Sequence, residues 1–225
     1  MLGLDGATGE VIVNPDAGMA EVLGARNEHR LALQALAQGP GATRDGHRVQ
    51  ILANIGTADD AKRAAKADVE GSGLFRTEFL FLERTSAPTV EEQTATYTAV
   101  FESFTGRKVV VRTLDAGADK PLAFADLGAE ENPALGVRGL RLQRERDDLL
   151  TDQLTALARA REATGAEVWV MAPMVATADE AAWFAARRRQ AFLLSAFTDS
   201  TREENATLQG LLSKRRIALT RTVPK

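Results

Sequence analysis

Between residues 49 and 186 the chain alternates four times between a short apolar stretch and a longer stretch with helical spacing. Residues 49–54, 71–75, 108–111 and 167–171 read as strands. Helices are expected over 58–67, 89–104, 146–162 and from 177 through 186. Local signals agree. Thr57 stands where a helix N-cap belongs, and Thr89 precedes Glu92 by the three residues of a capping box. Leu149, Leu150, Leu154 and Leu157 fall on one helical stripe. Repeated strand–helix units mean an α/β protein with parallel strands. Units of about 30–60 residues suit a (β/α)8 TIM barrel with loop insertions, a fold of ~250 residues, so about four βα units make a partial barrel.

What precedes and follows this region is of another kind. Residues 10–13 read as one strand between Thr8-Gly9 and Asn14-Pro15, a remnant that cannot bury itself, and 17–38 as a helix stopped by Gly39-Pro40-Gly41. The expected organisation is therefore 1–16 as the end of an earlier domain, 17–46 as linker helix and turn, 47–186 as half a barrel, and 187–225 as a tail. The charge supports the last division. The chain carries a net charge of −3, yet residues 187–225 hold nine basic and three acidic side chains, against nineteen and 28 before them. The tail's Arg187-Arg-Arg189 and Lys214-Arg-Arg216 read as solvated faces rather than a nucleic-acid footprint. A 44% hydrophobic, 26% charged composition excludes general disorder. The chain has no cysteine, which excludes disulfides and thiolate metal sites. The start, MLGLDGATGE, has no signal-peptide pattern, and no window reaches ~18 apolar residues, so no membrane partner and a cytoplasmic setting are expected.

The candidate chemistry lies at strand ends. Arg76 follows the second strand and Arg112 the third, and in barrels the carboxyl ends of the strands carry the active site. Lys120 and Arg138 sit in the long stretch after the third strand, where a loop would project over the same face. Four such cations suit a small, highly charged anion, because guanidinium forks match phosphate and carboxylate oxygens. The same residues also fit plainer readings. Arg112 or Arg76 beside Glu78 or Asp115 fits a structural ion pair, Lys120 and Arg138 fit solvated loop charges, and Asn132-Pro133 fits a turn. His29 and His47 lie in no catalytic setting, and no carboxylate pair has a trustworthy metal-ligand spacing.

Three segments carry a resemblance. Gly71-Ser-Gly-Leu-Phe-Arg-Thr-Glu-Phe-Leu-Phe-Leu82, Val111-Arg-Thr-Leu-Asp-Ala-Gly-Ala-Asp-Lys-Pro121 and Glu131-Asn-Pro-Ala-Leu-Gly-Val-Arg138 resemble the phosphoenolpyruvate-binding barrel of Enzyme I, the phosphoenolpyruvate–protein phosphotransferase of the bacterial sugar phosphotransferase system. Residues 4–15 resemble the end of that family's swivelling phosphohistidine domain, and 42–48 with 53–56 the entry to its barrel. Pyruvate phosphate dikinase and phosphoenolpyruvate synthase share the architecture, but Phe75-Arg-Thr-Glu-Phe79 with Asp119-Lys120 looks more like Enzyme I.

The resemblance implies roles by position. Arg76 and Arg112 would hold the phosphate of phosphoenolpyruvate, Lys120 and Arg138 would add positive charge, and Asn132 would shape the site. It also implies Mg2+, a histidine-containing phosphocarrier protein as partner, and a homodimer in the complete enzyme. The family's phosphorylated histidine, its magnesium ligands and its acid cysteine have no counterpart here, so no catalytic and no metal-binding residue is assigned. The expectation is a phosphotransferase piece, truncated, frameshifted or misjoined, that is inactive alone. The alternatives are a non-catalytic phosphoenolpyruvate-binding or dimerisation module and a relative of the dikinase or synthase.

Overall fold

In the computed structural model, residues 1–195 are described apart from 7, 37, 38, 118–121, 126, 127 and 129. The chain divides into two compact units, Met1–Gln50 and Ile51–Lys225. Lys120 and the tail beyond residue 195 lie outside the described residues.

The first unit is a hairpin and a helix. Strands β1 (Leu2–Asp5) and β2 (Glu10–Val13) pair antiparallel, Leu2 opposite Val13 and Leu4 opposite Val11, and α1 spans Ala17–Leu36. Sequence reading expected one strand here. Gly3 obscured the other, since glycine weakens any strand signal. Its place is explained by packing, because a side chain at Gly3 would meet Leu23 of α1. Arg26 on α1 pairs with Asp5 at 2.7 Å, and the N–H of Met19 in the helix's first turn finds the Asp16 carboxylate at 2.8 Å.

The second unit is built on four parallel strands in the order β3 (Ala53–Ile55), β4 (Gly71–Arg76), β5 (Lys108–Arg112) and β6 (Glu167–Met171). Helices α2 (Ala58–Ala65), α3 (Val90–Glu102), α5 (Asp147–Thr164) and α6 (Ala178–Ser195) alternate with them, and a short α4 (Leu140–Glu145) precedes α5. This is the mixed α/β fold that the alternation predicted. Two differences have simple causes. The first strand is shorter than expected because only residues 53–55 pair with β4, while Val49 and Ile51 are exposed. The six-residue α4 is too short to show a period. Helix α6 passes through Arg187, where the charge changes, without a break.

Side-chain period places the core. Along β5, Val109 and Val111 are buried while Lys108, Val110 and Arg112 alternate with them on the other face. The buried face packs with Phe75, Val168, Tyr97, Phe101, Leu150, Leu154 and Leu157, so α3 and α5 cover it. The leucine stripe read from the sequence is therefore the inner face of α5. On the opposite face Val110 pairs in register with Trp169, which is 53% exposed.

Three helices start in the same way. Thr57, Thr89 and Thr177 accept from the N–H groups of Asp60, Glu92 and Glu180, whose carboxylates accept from the threonine N–H groups in return. At the start of β4, Gly71 has φ +150°, and a Cβ there would run into the carbonyl oxygen of Lys108. The β4–β5 ladder thus closes on a residue without a side chain.

Candidate functional site

Arg76 is the last residue of β4 and Arg112 the last of β5, and the two are direct partners in the parallel register. Partners in register point to the same face. The two guanidiniums therefore leave the same end of the sheet on the same side, about one strand spacing apart at their bases, or ~4.8 Å.

Their surroundings differ. Arg112 donates through Nη2 to Glu78 Oε1, and its Nη1 lies 3.3 Å from Asp115 Oδ2. Arg138 approaches the other oxygen of the same carboxylate, with both Nε and Nη2 donating to Asp115 Oδ1 at 3.1 Å. Asp115 thus bridges Arg112 and Arg138. Arg76 makes no ion pair among the described residues, and its guanidinium lies 5.0 Å from the centre of the Phe79 ring. Among the described residues, three buried polar atoms in this cluster have no hydrogen-bond partner: Arg76 Nε, Arg112 Nε and Glu78 Oε2. Among the described residues, three guanidiniums against two carboxylates leave the cluster one net positive charge. Unsatisfied buried polar groups of this kind are rare and costly.

The rest of the expected set is less gathered. Asn132 is exposed in the loop before α4, where its backbone carbonyl accepts from the N–H of Leu135 at 3.1 Å, and none of the hydrogen bonds among the described residues ties its side chain to the arginines. The loop is held by Glu130, which accepts the N–H of Val137 at 2.8 Å, and by Arg141, which donates to the carbonyl of Gly136 at 2.9 Å. Arg112 is in an ion-pair network, while Arg76 has no ion pair among the described residues.

Residues 31–195 match the family described as PEP-utilising enzyme, PEP-binding domain. The chain belongs to this family. Over 198 residues, 88% of its length, the chain is 51% identical to a phosphoenolpyruvate-protein phosphotransferase of Streptomyces coelicolor, of which it covers 36%. It is 44% identical over 181 residues to the phosphotransferase of the same name in Staphylococcus carnosus, covering 31% of it. It is also 44% identical over 184 residues to a multiphosphoryl transfer protein of Xanthomonas campestris, covering 22%. The chain spans about a third or less of the length of these relatives.

Within the matched region the residues that carry no sequence signal are those behind the arginines. Gln143 and Gln153 are buried and bond to the backbone just after β5, and Thr77, directly after Arg76, donates to the carbonyl of Arg112. A glutamine inside a leucine stripe gives no signal of its own in the sequence. Magnesium is implied by the family resemblance, but the described residues do not suit it. Glu78 and Asp115, the acidic groups of the cluster, are both taken by guanidiniums, and no group of three or more His, Asp or Glu side chains among the described residues could hold a metal ion. Among the described residues no helix is long and apolar enough to cross a membrane.

Proposed function

We propose that this chain supplies the phosphoenolpyruvate grip of a phosphoenolpyruvate–protein phosphotransferase, with Arg76 and Arg112 on the phosphoryl oxygens. The observation that carries the reading is the in-register pair of strand-end arginines at one end of the parallel sheet. Arg138 adds charge through its shared bridge on Asp115. Lys120 and Asn132 belong to the same loop in sequence and complete the set as the family pattern implies. The sheet and its helices are four consecutive units of a (β/α)8 barrel in this reading, with 1–16 the end of a swivelling phosphohistidine domain, 17–46 its linker and 47–186 the barrel units.

The chemistry follows from charge. Phosphoryl transfer asks little covalent work of a protein and much positioning of positive charge. Guanidiniums around the phosphoryl group neutralise the charge that spreads over its oxygens, and the burial of Glu78 and Asp115 keeps water from screening them. In the complete enzyme the phosphoryl group goes to a histidine and on to a phosphocarrier protein, with Mg2+ assisting from residues outside this set; that enzyme is a cytoplasmic homodimer in this reading. The chain itself has two histidines, neither in a Gly-rich Ser-His setting, and no cysteine to protonate an enolate. It binds phosphoenolpyruvate and does not transfer its phosphoryl group.

Titration calorimetry tests this. The 225-residue chain should give saturable heat with phosphoenolpyruvate, and Arg76→Ala should weaken binding by about tenfold or more, the loss expected for hydrogen bonds to a charged group. A parent chain that takes up no phosphoenolpyruvate would sink the proposal. Labelled phosphoenolpyruvate that marks the isolated chain would show that transfer needs no further part.

A further inference from the structure

The two strand ends that carry Arg76 and Arg112 are tied together by one side-chain amide. Gln153 lies on α5 and is fully buried. Its Nε2 donates to Thr77 Oγ1 at 3.0 Å and to the Tyr97 hydroxyl at 3.1 Å, and its Oε1 accepts the N–H of Leu114 at 2.9 Å. Thr77 Oγ1 in turn donates to the carbonyl of Arg112 at 2.8 Å. The bonds form a closed ring. It joins the residue after Arg76, the carbonyl of Arg112, and the N–H two residues beyond Arg112. The amide cannot turn over, since both its N–H groups meet acceptors and its oxygen meets a donor. Tyr97 is fixed as well. Its hydroxyl donates to Gln93 Oε1 at 3.1 Å, and Gln93 Nε2 donates to the carbonyl of Pro88 at 3.0 Å.

The location of Gln153 is what gives the ring its meaning. The neighbouring inner positions of α5, Leu150, Leu154 and Leu157, are filled by leucine, and an apolar residue in their midst would cost nothing in desolvation. A buried polar network is weak support for stability and better support for one specified geometry. The strand-end groups that this network satisfies belong to the two segments bearing the arginines. A pair of guanidinium forks sharing one phosphate works only when held to within ~0.5 Å.

We infer that Gln153, acting through Thr77, is a positioning residue that sets the spacing of the Arg76 and Arg112 side chains for a single phosphoryl group. It does so without touching the ligand. The inference rests on the phosphoenolpyruvate reading above and goes one step behind it.

The experiment pairs calorimetry of phosphoenolpyruvate binding with thermal melts of the same 225-residue samples. Thr77→Val keeps the shape of the side chain and removes the hydroxyl from the ring, whereas Thr77→Ser keeps the hydroxyl. Thr77→Val should weaken binding at least about fivefold, and Thr77→Ser should stay within about twofold of the parent. Gln153→Met should follow Thr77→Val; should it fail to fold, the valine–serine contrast decides alone. Leu154→Ala, one residue away in the core, should lower the melting temperature and leave the affinity where it was. If Thr77→Val and Gln153→Met melt lower yet bind as tightly as the parent, the ring is structural only and the inference is overturned, with the phosphoenolpyruvate reading intact. A parent chain without binding removes that reading first.

Discussion

Arg76 and Arg112 end adjacent strands in register, yet one change to alanine at each should have different consequences. Arg112 faces Glu78 and Asp115, whose side chains are 5% and 10% exposed. Removing it leaves Glu78 without its partner and Asp115 with Arg138 alone. Breaking a buried pair from one side costs about 3–5 kcal/mol. Arg76 has no ion pair among the described residues to lose. Chemical denaturation should therefore find Arg112→Ala destabilised by about 3 kcal/mol and Arg76→Ala close to the parent, while on the proposed function both weaken phosphoenolpyruvate binding. Equal stability losses would mean that Glu78 does not hold Arg112. At this scale the sequence was informative about the cations and their acidic partners and silent about the amide behind them. A strand-end arginine declares itself by position, and Glu78 and Asp115 were visible as its plausible partners. Gln153 was not, because an amide within a leucine stripe has no pattern of its own until the backbone groups it serves are known.

The helices depend on their first turns. Glu92 is held below the usual carboxylate range by the N–H of Thr89 and then by Arg84. Asp60 is lowered by the N–H of Gly56 and the Thr57 hydroxyl, and Glu180 by the N–H groups of Ala176 and Thr177. A carboxyl whose folded value is depressed contributes stability that is complete above its unfolded pKa, ~4, and disappears as the pH falls through the lower folded value. Melting temperatures should accordingly be flat near neutrality and decline below about pH 4. Glu92→Gln combined with Glu180→Gln should make that decline shallower; an unchanged slope would assign it to other groups. Thr89→Ala should cost about 1 kcal/mol at neutral pH, as the loss of a threonine cap does. Elements with such caps were legible from sequence, as at Thr57 and Thr89. Helix α4 was not, for its N-cap Gly139 has no side chain to signal a start. Strand β1 was hidden by the same kind of silence at Gly3.

On the scale of the whole chain, the two units contribute unequally. Every buried hydrophobic side chain among the described residues lies at Ile55 or beyond, and the hairpin of the first unit shows Leu2, Leu4, Val11 and Val13 largely exposed. A chain beginning at Ile51 should thus keep a cooperative melt; a non-cooperative melt would show that the first unit is needed for folding. The alternation of strand and helix conveyed the parallel sheet from sequence alone, since period and spacing are set by the buried face. Sequence could not convey how far each strand pairs, because pairing depends on neighbours distant in the chain. One such neighbour contact reaches furthest. Gly71 abuts the Lys108 carbonyl at the far end of the ladder from the arginines, five residues or ~16 Å away. Adding even a methyl group there would push two rails apart at one end, and on the proposed function the mismatch would surface at the other as a phosphate grip of the wrong width.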